Sequence, residues 1–146
     1  MRKAVWAVML TAVLLGMSSM ALAATFPACD SFGQDWSITL GPFGGSFPGT
    51  YLVSGCRDCN NSLGCGGFLP LDGAVVVHAG IRIYSVTAYS PVGSSCFSTH
   101  WTGAQSGSTV SGNVSNNGGP FGTFSLALRT ACQVPRSAVD PATHKQ

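Results

Sequence analysis

The residues best suited to chemistry in this chain are its cysteines and histidines. Residues 56–65 read CRDCNNSLGC, so Cys56 and Cys59 form a C-x-x-C pair and Cys65 follows six positions later. Such a cluster can hold a metal, exchange electrons or staple a loop. Structural zinc takes four sulfur or nitrogen ligands, but the cluster supplies three, and the nearest fourth ligands in sequence are Asp72 and His78. Thioredoxin-type redox chemistry places its C-x-x-C at a helix N-terminus, which lowers the thiol pKa. Here CRDC runs into NNSLGCGG, a glycine-rich stretch that starts no helix. Asp58, Asn60 and Ser62 imitate the alternate oxygen ligands of a calcium loop, but Leu69 stands where the bidentate acid belongs. Six cysteines (Cys29, Cys56, Cys59, Cys65, Cys96 and Cys132) are an even number. They read as three disulfides rather than as a metal or redox centre, with no metal and no cofactor expected.

His78 lies in VVVHAG and His100 in STHWTG, both β-prone contexts, while His144 lies in the polar C-terminal stretch. A histidine in a strand acts catalytically only when a partner orients it. There is no G-x-S-x-G nucleophile elbow, and a paired-carboxylate site would have to be built from five Asp without any Glu. No catalytic residue is therefore assigned. The segment GPFGGSFPG (41–49) lacks the lysine of a phosphate-binding loop. It carries Phe43 and Phe47, with Tyr51 just beyond. These three aromatics are the candidate ligand contacts. Capping of an open barrel end is the favoured reading of them, because Phe has no polar handle for recognition.

The ends and the charge set the context. MRKAVWAVMLTAVLLGMSSMALAA has a basic start, an apolar stretch and a closing A-x-A, the pattern of a cleaved secretory signal over residues 1–23. Cleavage removes Arg2 and Lys3, leaving five basic residues against five Asp. The four remaining arginines (Arg57, Arg82, Arg129 and Arg136) are scattered. That distribution offers no basic run for nucleic acid, and no membrane span is expected in the mature chain. The localisation expected is secreted or periplasmic.

These residues must be positioned by short strands. DWSITLG (35–41) alternates Trp36, Ile38 and Leu40 against small polar residues, and TYLVSG (50–55) is a second strand. GAVVVHAGIRIYSVTAYS (73–90) exceeds the usual strand length, so Ala79-Gly80 marks a bulge, a bend or a turn within it. CFSTHWTG (96–103), STVSGNVS (108–115) and FGTFSLALR (121–129) follow, the last two separated by the NNGGP turn signal. Trp36, Trp101, Phe97 and Phe124 fall at inward positions. The fold expected is all-β: a small antiparallel sandwich or barrel of about seven short strands, stapled by disulfides. Residues 24–134 form one domain and 135–146 a flexible polar tail. In a simple meander Cys96 and Cys132 lie at opposite ends, which disfavours that pairing and allows Cys29 to meet the 56–65 loop.

Gly33 and Trp36 in GQDW have two residues between them, where the Gly-x-Trp signature of lipocalin-like and avidin-like barrels has one. No family is assigned on it. The function expected is a non-catalytic binding module for an unknown small ligand or protein. The alternatives are a structural or envelope-associated protein, and an enzyme using His78 or His100.

Overall fold

The computed structural model describes residues 23–43, 49–59, 63, 65, 67–133 and 139–144. The signal-peptide reading of 1–23 therefore falls almost wholly outside the described residues, as do Phe47 and Arg136. Eight antiparallel strands run in sequence order: β1 (Ala24–Asp30), β2 (Asp35–Pro42), β3 (Thr50–Arg57), β4 (Leu69–His78), β5 (Ile81–Ala88), β6 (Thr99–Ser106), β7 (Thr109–Asn116) and β8 (Gly119–Leu128). Each pairs with the next, and β1 pairs with β8, so the sheet closes into an up-and-down barrel. Closure removes the free sheet edges that an open meander would leave. Among the described residues no helix is long and apolar enough to cross a membrane.

The barrel has eight strands rather than about seven. The additional one is β1, ATFPACD, whose Pro27 argues against a strand by composition. Its pairing explains why the proline is tolerated: β8 contacts β1 only over Ala28–Asp30, so Pro27 lies where β1 has a single neighbour. Ala79 and Gly80 resolve as a turn, since His78 pairs with Ile81. Both turn residues have positive φ, 49° and 79°, the geometry that matches the twist of a two-residue hairpin.

Side chains of one parity fill the barrel. Ala28, Ile38, Val53, Leu69, Val75, Ala88, Trp101, Val110 and Val114 are nearly or fully inaccessible to solvent. At the centre Trp101 takes Trp36 and Phe124 edge-on, with ring centroids 5.1 and 5.0 Å apart. An eight-stranded barrel is just wide enough for side chains to fill, and the aromatics do so here. Tight curvature demands glycine at Gly112, where a Cβ would sit 2.0 Å from the Thr102 carbonyl oxygen.

The disulfides join Cys29 to Cys132, Cys56 to Cys59 and Cys65 to Cys96. Cys96 does not pair with Cys132, in keeping with the meander. Cys29, however, does not meet the 56–65 loop. It lies opposite Ala127 across the β1–β8 seam. Arg129, at φ 60°, reverses the chain, and Cys132 comes back beside Cys29. Three disulfides fit an oxidising, extracellular-type environment.

Candidate functional site

The two ends of the barrel differ in construction. At one end lie the turn from β1 to β2, the described residues of 58–68, the 89–98 connection, the turn from β7 to β8 and the described residues 139–144. This end is closed. Arg57, the second residue of CRDC, points inward and is completely buried. Its Nη1 and Nη2 donate to the two carboxylate oxygens of Asp140 at 3.0 and 2.5 Å, and its Nε donates to Asp30 Oδ2 at 2.9 Å. Its guanidinium also lies over the Trp101 ring, 4.9 Å from the centroid. Asp30 in turn accepts from Trp36 Nε1 at 2.9 Å and from the backbone N–H groups of Phe32 and Gln34 at 3.0 Å each. Burial disfavours the charged guanidinium, but the two aspartates outweigh it and hold its pKa above the ordinary value. Every member of this network is partnered, which a buried charge requires.

The residues of CRDC are all engaged within this end of the barrel. Cys56 and Cys59 bond to each other. Arg57 anchors the end of the barrel, and buried Asp58 accepts the Leu63 backbone N–H. The C-terminal stretch also differs from a loose polar tail over its described part. Asp140 and Ala142 are buried, and the Ala142 carbonyl accepts from Phe97 N at 2.6 Å. Asn116 Nδ2 holds the carbonyls of Pro141 and His144 at 3.1 and 2.8 Å. Asp140 explains the difference, because the buried guanidinium needs a second carboxylate and this stretch supplies it.

At the opposite end the barrel holds a cup of about 190 Å³. Its wall is made by the terminal inward positions of five strands: Phe26 on β1, Leu40 on β2, Tyr51 on β3, Arg82 and Tyr84 on β5 and Gln105 on β6. Leu128 at the end of β8 and Arg129 just beyond it complete the wall. The Arg82 guanidinium lies 5.8 Å from the Tyr51 ring centroid, and that of Arg129 lies 5.1 Å from the Phe26 centroid, cation–π separations in both cases. The Tyr84 hydroxyl donates to Gln105 Oε1 at 3.1 Å, and Gln105 Nε2 donates to the Gly107 carbonyl at 2.8 Å. Burial pushes the Tyr84 phenol pKa up, opposed by the positive charge of Arg82, by a hydrogen bond from Arg82 and by the positive charge of Arg129. Among the described residues no carboxylate lines this cup. Among the described residues the ion pairs of the chain are those of Arg57.

Of the aromatics singled out by sequence, Tyr51 lines the cup, Phe43 is exposed beyond the end of β2 and Phe47 lies outside the described residues. The arginines of the cup were not singled out. Arg82 shares the parity of inward-facing Tyr84, Val86 and Ala88, and that was the signal available for it.

The histidines are not brought together. His78 is exposed at the end of β4. His100 is exposed on the outer wall, where its Nδ1 bonds the Thr87 hydroxyl at 3.0 Å and its Nε2 the Thr102 hydroxyl at 3.1 Å. Neither has a carboxylate partner among the described residues. No group of metal-binding side chains occurs among the described residues. The outer wall also carries an exposed apolar strip of Leu52, Val76 and Ile83, adjacent because Thr50 faces Val76, Leu52 faces Ala74 and Val76 faces Ile83. Compared with known proteins, the chain matches no protein-family model and no curated protein.

Proposed function

We propose that the protein is a secreted or periplasmic, non-catalytic binding module that takes a small ligand at the open end of its barrel. The observation that carries this reading is the cup itself. It joins three aromatic rings, Phe26, Tyr51 and Tyr84, to two arginines that no acid neutralises there. An apolar wall with a few convergent polar groups is the usual make-up of a ligand site. The closed end supports the assignment by contrast, since its charges are fully spent on one another. Catalysis is disfavoured by the surroundings of His100, whose ring nitrogens bond only threonine hydroxyls, with no acid or base pair to move a proton.

A fragment screen read by NMR on the disulfide-intact protein tests the reading. Hits should move the ring signals of Phe26, Tyr51 and Tyr84. Hits gathered elsewhere on the molecule would overturn it.

The Leu52–Val76–Ile83 strip favours a second reading, attachment to an envelope component or to another copy. Exposed apolar patches mark such contacts. Replacing all three residues by Ser should then abolish sedimentation with envelope fragments or self-association.

A further inference from the structure

We infer that the ligand class of the open-end cup is a small monocarboxylate: one carboxylate head held by Arg82 and Arg129, and an apolar body the size of a single ring or a short chain. This inference rests on the reading of the cup as a binding site.

The hydrogen-bonding inventory of the cup selects the head group. The Gln105 amide is occupied at both atoms, its oxygen by the Tyr84 hydroxyl and its nitrogen by the Gly107 carbonyl. The Tyr84 proton is committed to Gln105. Gln105 Nε2 has a second N–H and Tyr51 a hydroxyl, but the charged donors of the cup are the two guanidinium groups, which donate and never accept, Arg82 also donating to the Tyr84 oxygen. The head best suited to this wall accepts hydrogen bonds and brings negative charge, because the described lining carries two positive charges and no acid. An ammonium is repelled, and an alcohol or amide brings no charge to pair with the guanidinium groups. A carboxylate matches the guanidinium fork in shape as well as in charge.

The remainder of the wall selects the body. Phe26, Leu40 and Leu128 offer nothing to a second charged or hydroxylated group. A free inorganic anion would leave these surfaces in contact with water. Volume sets the upper size. A benzene ring fills an apolar cavity of about 150 Å³ in another protein, whereas drug-sized ligands occupy roughly 300–1,000 Å³. At about 190 Å³ the cup takes one ring or a chain of comparable bulk, with its head at the rim. Arg82 and Arg129 are exposed, so the head meets them where the cup meets solvent and the body goes inward. The arginines are also held in place: each guanidinium lies over an aromatic face, which reduces the ordering that binding must impose.

The test uses the disulfide-intact protein and four probes: benzoate, hexanoate, benzyl alcohol and inorganic phosphate. Each is titrated by NMR with the Phe26, Tyr51 and Tyr84 ring signals as readout. Benzoate or hexanoate should bind about tenfold or more tightly than benzyl alcohol, the gain expected of charge-assisted hydrogen bonds, and phosphate should be weaker than either. In the double variant R82Q/R129Q the carboxylate should lose this advantage over benzyl alcohol; an advantage that persists in the variant would overturn the assignment to the two arginines. Equal binding of benzoate and benzyl alcohol to the unsubstituted protein would overturn the carboxylate assignment and leave the cup as a site. Phosphate binding as tightly as benzoate would overturn it in favour of simple charge attraction. If no probe moves the three rings, the binding-site reading fails, and this inference fails with it.

Discussion

The two ends of this barrel use arginine in opposite ways. At the closed end Arg57 is wholly buried, bonded to two aspartates and laid over Trp101. At the open end Arg82 and Arg129 are exposed, laid over Tyr51 and Phe26, and meet no carboxylate in the cup. All three disulfides lie at or near the closed end, where Cys29 adjoins the buried Asp30 and the other four cysteines belong to the connections there. An aromatic face beneath a guanidinium is common to both ends, so it does not distinguish structure from function. The counter-ion does. A charge neutralised in the interior fixes the fold, and one left without a counter-ion beside a cavity is available to a ligand.

If the closed end is the anchor, breaking its staples should cost the most. Loop-closure entropy grows with the length of chain enclosed. The Cys29–Cys132 bond spans 103 positions, the Cys65–Cys96 bond 31 and the Cys56–Cys59 bond three. The expected stabilisations are about 4–5, about 3–4 and about 1–2 kcal/mol respectively. Replacing each pair by Ser and measuring denaturant unfolding should reproduce that order. A C-x-x-C bond worth as much as the Cys29–Cys132 bond would contradict the comparison, since it would give the local staple a weight that chain entropy does not.

The ion network comes next. R57A removes one cation and leaves Asp30 and Asp140 facing each other in the interior. Breaking a buried pair in this way costs roughly 3–5 kcal/mol. Residues 139–144 should also detach, read as loss of amide protection at Ala142 and Thr143, because their docking depends on Asp140. An unfolding free energy within about 0.5 kcal/mol of the parent, the range of an ordinary surface change, would show that the network does not hold this end.

Much of the barrel was legible in the sequence because interior and exterior residues alternate with period two. Trp36, Ile38, Trp101 and Phe124 read inward and are buried, whereas Phe97, also read inward, precedes β6 and is half-buried. The eighth strand was not legible, since Pro27 disguises a segment that pairs on one side only over its first half. The pairing of Cys29 with Cys132 depends on that hidden strand and on the reversal at Arg129. The candidate site was legible only in part. Tyr51 stood out by type, but Arg82 and Arg129 read as isolated charges. Their juxtaposition belongs to closure of the barrel, which brings β5 and β8 to one rim and no local pattern records it. Arg57 was hidden in a different way. Set between two cysteines beside Asp58, it reads as part of a thiol site. Its partners lie 27 and 83 positions away.

The smallest expected effect on stability is the one that separates the two ends most sharply. R82Q removes an exposed charge that is not in an ion pair among the described residues, and at neutral pH unfolding should shift by no more than about 0.5 kcal/mol. The substitution should still register at Tyr84. Burial raises that phenol pKa while Arg82 and Arg129 oppose the rise, so removing Arg82 should raise it further, followed through the Tyr84 ring signal in an NMR titration. The linked stability has a definite sign. The folded protein holds the phenol proton more tightly than the unfolded chain does. The contribution is therefore complete below the ordinary phenol pKa near 10 and is lost as pH rises through the folded value. In R82Q the folded value is higher still, so the alkaline loss of stability from this group should extend to higher pH than in the parent. If the Tyr84 titration is identical in the two proteins, Arg82 does not act on the cup, and the contrast between a spent and an available arginine would rest on Arg129 alone.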